Sequence, residues 1–303
     1  MKLAVIGLGS MGMGAALNLV KSQHHVTGCD LRAEARAQLV AAGGHGVDSA
    51  ADIPGDLDAL ILFVVNAAQV DDVLFGAKGC IALLRPGTTV LCCTTVAPEA
   101  ARKLDARLTE AGMHLLDAPV SGGQSGALAG TMTVMAAGSD AAFAAAGPIL
   151  EAIAGKVWRL GDKPGIGSTV KMVNQLLAGV HIAAAAEAMA LGIRAGADPQ
   201  TLYDVICSSA GNSWMWQNRM SHVLSGDDRP ASAVNIFVKD LGIVLDQARN
   251  LTFPLPLASA AHQLFLAAAA NGQGFKDDAF VIRVWQALAG IPLPGEDGQG
   301  GEA

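Results

Sequence analysis

Residues 2–20 constrain the fold more than any other stretch. Lys2-Leu3-Ala4-Val5-Ile6 is a short apolar run that passes without a spacer into Gly7-Leu8-Gly9-Ser10-Met11-Gly12. Ala15, Ala16, Leu17, Leu19 and Val20 then follow at helical period. A strand that turns on glycines straight into a helix leaves few topologies open. Gly7 suits the tight turn, Gly9 lets the backbone approach a ligand, and Gly12 lets the helix pack close to the strand, with the helix amino terminus facing a bound anion. Alone, such a turn is weak evidence, because a merely flexible glycine loop has the same letters.

The context narrows it. Residues 25–29 read as a second strand that ends in Asp30 with Leu31 beside it. An acidic residue about 20 positions past such glycines is placed to bind the ribose hydroxyls of a dinucleotide, and its charge repels a 2′-phosphate. The sequence therefore favours NAD over NADP, with Arg32 as a nearby group suited to a phosphate. Asp30 also reads as an N-cap for a helix over residues 33–42.

The alternation continues through the first half. Residues 59–65 form an apolar run fit for a strand buried on both faces, followed by a helical pattern over 68–75. Strands are expected at 88–95, 114–118, 131–137 and 156–160, with helices at 98–111, where Pro98 suits the first turn, and at 140–153. Ligands of such sheets sit outside the carboxyl ends of the strands. Val65, Asn66, Thr94 and Thr95 are thus candidates to face the cofactor, with helix capping as their alternative. After the strand at 114–118 come Ser121, Gly122 and Gly123, where a hydroxyl and unobstructed N–H groups suit a carboxylate.

Asp162-Lys163-Pro164-Gly165 is the clearest boundary signal. Beyond it helical period dominates at 165–195, 199–208, 234–250, 255–270 and 277–287, and no alternating strand pattern appears. The fold class expected is α/β: a Rossmann-type doubly wound parallel sheet at 1–163, an all-helical domain for substrate binding and oligomerisation at 164–290, and a flexible tail at 291–303. Lys171, Asn174 and Gln175 share one face of the first helix after the boundary, in the region where a cleft between domains is expected. On spacing alone Lys171 also reads as a surface lysine snorkelling from an apolar helix.

Composition sets the remaining bounds. With 303 residues, 51% hydrophobic and 16% charged, the chain can bury a large core. A net charge of −7 argues against a nucleic-acid partner, and the most apolar helix carries Glu187, which argues against a membrane span. Glycines interrupt the first apolar run too early for a signal peptide. Five scattered cysteines suit a reduced, cytoplasmic protein. The seven histidines form no HxH or HxxxH pattern, so no catalytic metal is expected.

Four blocks taken together, Gly7 to Gly12, Asp117-Ala118-Pro119-Val120-Ser121-Gly122-Gly123, Gly165-Ile166-Gly167 through Lys171-Met172-Val173-Asn174-Gln175, and Lys239-Asp240-Leu241, resemble the β-hydroxyacid dehydrogenase family. This is the group of 3-hydroxyisobutyrate and tartronate-semialdehyde dehydrogenases. The resemblance covers nearly the whole chain. It implies a cofactor domain, a helical domain, a substrate carboxylate held by Ser121, Gly122 and Gly123, a catalytic lysine at Lys171 with its amide Asn174, and a cofactor-side lysine at Lys239. Cys92-Cys93-Thr94-Thr95 departs from the family, where an acidic residue and a serine commonly precede the threonine.

The stretch from Gly211 to Arg219 is similar to the substrate loop of the branch that oxidises L-threonate. That implies NAD-dependent oxidation of the C2 hydroxyl of a four-carbon sugar acid, with Asn212, Ser213 and Asn218 at the distal hydroxyls. Lys171, its pKa lowered by partial burial, would take the hydroxyl proton, with Asn174 holding the substrate and Gln175 packed nearby. Oxidation of 3-hydroxyisobutyrate and reduction of tartronate semialdehyde are the alternatives within the family. Outside it stand a non-catalytic NAD sensor, which has no need of both a lysine and a carboxylate anchor, and a methyltransferase, for which a helical domain of this size is unusual. The partners expected are a small hydroxy acid and further copies of the chain, as dimer or tetramer.

Overall fold

The structure is a computed structural model, and it describes residues 1–294. Contacts divide the chain into two compact units, the first Met1–Met172 and the second beginning at Val173.

The first unit alternates strand and helix: β1 (Lys2–Ile6), α1 (Ser10–Lys21), β2 (His25–Cys29), α2 (Ala33–Ala41), β3 (His45–Val47), β4 (Ala59–Leu62), α3 (Ala67–Phe75), β5 (Thr89–Cys92), α4 (Pro98–Glu110) and β6 (His114–Asp117). These six strands lie in the order β3-β2-β1-β4-β5-β6, all parallel. The chain continues through β7 (Val120–Ser121), α5 (Gly123–Ala129), β8 (Met132–Ala137), α6 (Asp140–Ile153) and β9 (Ala154–Gly161). Among the described residues this makes one nine-stranded sheet.

The sheet is not parallel throughout, as the sequence alone suggests. β8 runs antiparallel to β6 and β7, and β9 returns parallel to β8. The stretch from β7 to β8 is shorter than a parallel crossover requires, so it can only reverse the chain. β3 and α5 have no counterpart in the sequence reading. β3 is a three-residue edge strand, His45-Gly46-Val47, without an apolar run, and α5 begins Gly-Gln-Ser-Gly, which reads as a turn.

Alternation along the strands divides the core between the two sheet faces. Leu3 and Val5 join Ala15, Ala16 and Leu19 of α1 and Ile149 and Ile153 of α6 on one side. Ala4 and Ile6 join Val70 and Leu74 of α3 and Leu104 and Leu108 of α4 on the other. Each fully buried aliphatic side chain contributes about 1.5–3 kcal/mol, so this two-sided burial holds the strand ends in place.

The long helix α7 (Ile166–Arg194) begins after Gly165, whose φ of +107° suits only glycine, and ends at Gly196 with φ +89°. The unit boundary thus falls inside α7, eight residues past the Pro164 signal. α7 is long and apolar enough to cross a membrane, but 44% of its most apolar window is buried inside the protein. Ile182, Ala186 and Met189 are core residues there.

The second unit continues with α8 (Pro199–Cys207), α9 (Trp214–Ser225), α10 (Val234–Asn250), α11 (Pro256–Ala268) and α12 (Arg283–Ala289). Phe237 of α10 and Phe265 of α11 stack with ring centroids 5.1 Å apart. Helical pattern at 255–270 ends earlier than expected, in a π turn at Ala269–Gln273 with Gly272 at φ +80°. The helix expected at 277–287 is a 3-10 turn, Asp278–Ile282, followed by α12. Of the tail expected at 291–303, Ile291 and Leu293 are buried, and residues 295–303 lie outside the described residues.

Candidate active site

At the carboxyl end of β1 the glycines meet the demands set by their spacing. Gly7 has φ +93°, and a Cβ on it would lie 2.7 Å from the Phe63 carbonyl oxygen. A Cβ on Gly12 would lie 1.8 Å from the Gly7 oxygen, so α1 and the turn touch through bare backbone. Gly9 differs: a Cβ there meets nothing within 4 Å. Gly9 is also the N-cap of α1 and supplies no side-chain acceptor to its first N–H groups. The first N–H groups of α1 thus lack a side-chain cap, and Gly9 leaves open space beside them, the cradle that a pyrophosphate fits. Leu8 is buried, and its N–H donates to Asp30 Oδ2 at 2.8 Å, which ties the turn to the end of β2.

Asp30 is also gripped by Arg32, whose Nε and terminal nitrogen lie 3.0 and 3.1 Å from its two oxygens. The same terminal nitrogen of Arg32 donates to the Leu8 carbonyl at 2.9 Å. Burial pushes the Asp30 carboxyl up, but the Arg32 bonds and the Leu8 N–H outweigh it and hold the group below its ordinary value. Asp30 caps no helix through its side chain: the residue before α2 is Arg32. Leu31 is exposed, 88% by area.

At the other strand ends the candidates separate. Val65 is half exposed, and its N–H donates to Gln69 Oε1 at 2.7 Å. Asn66 is the N-cap of α3, with Oδ1 accepting from the Gln69 N–H at 2.8 Å. Thr94 is buried, and its hydroxyl faces the Leu62 carbonyl at 3.4 Å, so it turns into the sheet and caps no helix. Thr95 is partly exposed. Cys92 and Cys93 face opposite sides of the sheet, each in a different core, and burial pushes the Cys92 thiol up to about 12.

Ser121 ends β7, and Gly122 and Gly123 follow with φ of +130° and +62°, a backbone path that other residues rarely take. No side chain caps α5, which starts at Gly123. Lys171 lies on α7 and is buried, 7% exposed. The same unit holds a group that motif reading passed over. Asp117, at the end of β6, is buried and accepts from the Gly165 and Ser168 N–H groups and from the Ser168 hydroxyl at 2.7 Å. Burial outweighs these bonds and pushes its carboxyl up. An acidic residue just ahead of Ala-Pro-Val-Ser-Gly-Gly was the available signal.

In the second unit Asn174, Gln175, Asp240 and Lys239 form a chain. Asn174 Nδ2 donates to Gln175 Oε1 at 3.0 Å, Gln175 Nε2 donates to Asp240 Oδ2 at 2.5 Å, and Lys239 Nζ lies 2.8 Å from Asp240 Oδ1. Gln175 is therefore a link and not merely a packed neighbour. Asp240, 2% exposed, joins the two candidates and is visible in the sequence only as the acid beside Lys239.

The stretch Gly211 to Arg219 is not all loop. Ser213 is the N-cap of α9, its Oγ accepting from the Trp216 N–H, and Trp216, Met220 and Val223 form a buried stripe. That spacing, with a serine ahead and Gly226 behind, is the helix signal that loop similarity masked. Asn212 Nδ2 donates to the Cys207 carbonyl at 2.9 Å, and its enclosed Oδ1 has no hydrogen-bond partner among the described residues. Asn218 Oδ1 accepts from Arg219, whose guanidinium also pairs with the buried Asp278.

Residues 2–161 match the family model described as the NAD binding domain of 6-phosphogluconate dehydrogenase. Residues 165–285 match that of the NAD-binding region of NADP-dependent 3-hydroxyisobutyrate dehydrogenase. The chain is 53% identical over 294 residues to L-threonate dehydrogenase of Cupriavidus necator, covering 97% of this chain and 98% of that protein. It is 54% identical over 292 residues to L-threonate dehydrogenase of Escherichia coli K12, covering 96% of each. A crystal structure described as 3-hydroxyisobutyrate dehydrogenase from Salmonella typhimurium superposes with a TM-score of 0.90 at 51% identity, over 94% of this chain and 99% of that one.

Proposed function

The chain belongs to the β-hydroxyacid dehydrogenase family and is an NAD-dependent oxidoreductase, and on that premise we propose that its substrate is L-threonate, oxidised at C2 to the 2-oxo acid. The observation that carries this reading is the identity of more than half the residues, along almost the whole chain, to L-threonate dehydrogenases. A second reading, oxidation of 3-hydroxyisobutyrate, is favoured by the name given to the Salmonella structure.

NAD, when bound, supplies the hydride acceptor. The turn from Gly7 to Gly12, with Gly7, Leu8, Gly9, Ser10, Met11 and Gly12, would hold its pyrophosphate at the amino terminus of α1, and Asp30, beside Leu31, would receive the ribose hydroxyls. Val65, Asn66 and Thr95 would be further cofactor contacts on the first unit, and Lys239 would be the cofactor-side lysine on the second. The substrate carboxylate rests on the Ser121 hydroxyl and the Gly122 and Gly123 N–H groups. As the C2 hydrogen leaves as hydride, Lys171, as the neutral amine, accepts the C2 hydroxyl proton and the carbonyl forms.

Asn174 is ordered for this task by its neighbours. With Nδ2 given to Gln175, its Oδ1 is left to accept from a substrate hydroxyl. Asn212, Ser213 and Asn218 are the candidates for the hydroxyls at C3 and C4; since Ser213 Oγ already accepts a backbone N–H, its part is to donate. We place the enzyme in the cytoplasm, which its five free cysteines, four of them buried, support, and as a homo-oligomer, which the exposed apolar residues Val173, Leu177 and Leu191 of α7 support.

A panel of C3 to C5 hydroxy and sugar acids, each with NAD and with NADP and followed by absorbance of the reduced cofactor, tests the assignment. L-threonate with NAD is expected to exceed 3-hydroxyisobutyrate by at least about tenfold in kcat/KM, because a site built for hydroxyls rejects an analogue that lacks them. Turnover of 3-hydroxyisobutyrate at an equal or higher rate would overturn it.

A further inference from the structure

Lys171 must meet the substrate at a fixed distance from the group that holds the carboxylate, and the first unit contains a device suited to set that distance. Asp117 is 1% exposed and accepts three hydrogen bonds from the start of α7: Gly165 N–H at 2.8 Å, Ser168 N–H at 2.9 Å and Ser168 Oγ at 2.7 Å. Ser168 is itself 1% exposed. The carboxylate thus satisfies orphan donors of the first turn and puts negative charge at the amino end of the helix.

A second contact fixes the same turn. A Cβ on Gly167 would lie 2.5 Å from the Met135 carbonyl oxygen of β8 and 2.9 Å from that of Asp117 on β6, so the helix rests directly on both strands. Lys171 is four residues on, hence on the helix face that Gly167 presents to these strands. Ser121 is registered to the same strand, since β7 pairs with β8 at Ser121 and Thr133, two residues before Met135. β8 is the common reference for both.

We propose that Asp117 and Ser168 are positioning residues, which clamp the first turn of α7 onto β6 and β8 and so hold Lys171 in register with the carboxylate anchor at Ser121–Gly123. This rests on the assignment of Lys171 as acid/base and of Ser121 as anchor. The clamp touches neither substrate nor cofactor; it acts through Lys171. Loosening it costs rate and leaves binding of either ligand nearly intact.

The test uses the full chain with L-threonate and NAD. Ser168→Ala removes one bond and keeps the carboxylate; Asp117→Asn removes the charge; Thr169→Ala removes a hydroxyl that donates to the Gly165 carbonyl and so perturbs the same turn without touching Asp117. Ser168→Ala and Asp117→Asn are expected to lower kcat by about 10- to 100-fold, as small misplacements of a catalytic group do, with KM for L-threonate and the dissociation constant of NADH within about threefold of wild type. Thr169→Ala is expected to keep the wild-type kcat. Adding either clamp substitution to Lys171→Ala should cost nothing further.

A wild-type kcat in Ser168→Ala, an equal loss in Thr169→Ala, or a loss confined to KM would overturn the clamp while Lys171→Ala stays inactive. Wild-type activity in Lys171→Ala would instead remove the premise and the clamp together. If Asp117→Asn fails to fold, Ser168→Ala alone decides.

Discussion

Asp30 and Arg32 close on each other at the end of β2, with two guanidinium nitrogens 3.0 and 3.1 Å from the two carboxylate oxygens. We propose that this pair sets the cofactor preference. The carboxylate is held charged and is placed for ribose hydroxyls, while the guanidinium is the group that could receive a 2′-phosphate. Asp30→Ser, which frees Arg32, is expected to raise kcat/KM for NADP and lower it for NAD, shifting the ratio by about tenfold or more. Arg32→Ala should leave NAD favoured and reduce NADP use further. Steady-state rates with both cofactors check this, and an unchanged ratio in Asp30→Ser would contradict it.

Gly9 and Gly12 separate binding from folding. An alanine at Gly12 drives a methyl into the Gly7 carbonyl, and the variant is expected to unfold at a clearly lower temperature. An alanine at Gly9 meets no protein atom within 4 Å, yet fills the space over the amino terminus of α1. Gly9→Ala should keep the wild-type Tm and weaken NADH at least about tenfold. Fluorescence titration and thermal unfolding measure the two effects; a Gly9→Ala protein that binds NADH normally would show that the pyrophosphate lies elsewhere.

Much of this was legible in the letters because short-range chemistry dictates it. The strands at Lys2–Ile6 and His25–Cys29 and the helices at Asp140–Ile153 and Val234–Asn250 lie where periodicity puts them. The parts that were not legible depend on distant partners. Asp117 reads as one more residue at a strand end until Gly165 and Ser168 arrive 48 and 51 residues later. Thr94 faces inward because the Leu62 carbonyl lies beside it. β3 survives as three residues because β2 supplies the pairing, and α9 was hidden by similarity to a loop although Ser213, Trp216, Met220 and Val223 spell a capped helix.

Gln175 Nε2 donates to Asp240 Oδ2 at 2.5 Å, and both side chains are buried in the second unit. Asp240→Ala removes the acceptor for Gln175 Nε2 and the carboxylate beside Lys239 Nζ. The expected cost is about 2–3 kcal/mol of stability, the penalty for stranding buried polar groups, together with a lower kcat as Asn174 loses its support. Urea unfolding and steady-state kinetics on the same preparation check both; a loss of stability near zero would contradict the buried role.

The ion pair of Arg219 with Asp278 gives the second unit a pH dependence of known sign. Burial pushes the Asp278 carboxyl from 3.8 up to about 6, against the pull of Arg219. Between these values the folded protein keeps a proton that the unfolded chain has released, so the contribution of this group to stability is full below 3.8 and is lost as pH rises through about 6. Asp278→Asn should flatten that part of the stability profile while lowering stability at neutral pH, where Arg219 loses its anion. Unfolding midpoints across the acidic range decide it, and an unchanged slope would refute the assignment.

Lys171 is proposed to move the proton that accompanies the hydride. The most direct measurement of this role is the single-turnover rate of NADH formation from L-threonate by Lys171→Ala, with enzyme and NAD in excess and substrate binding verified separately. A fall of at least about 100-fold is expected, the usual worth of a general base, with L-threonate and NAD still bound. A rate near wild type with both ligands bound would contradict it.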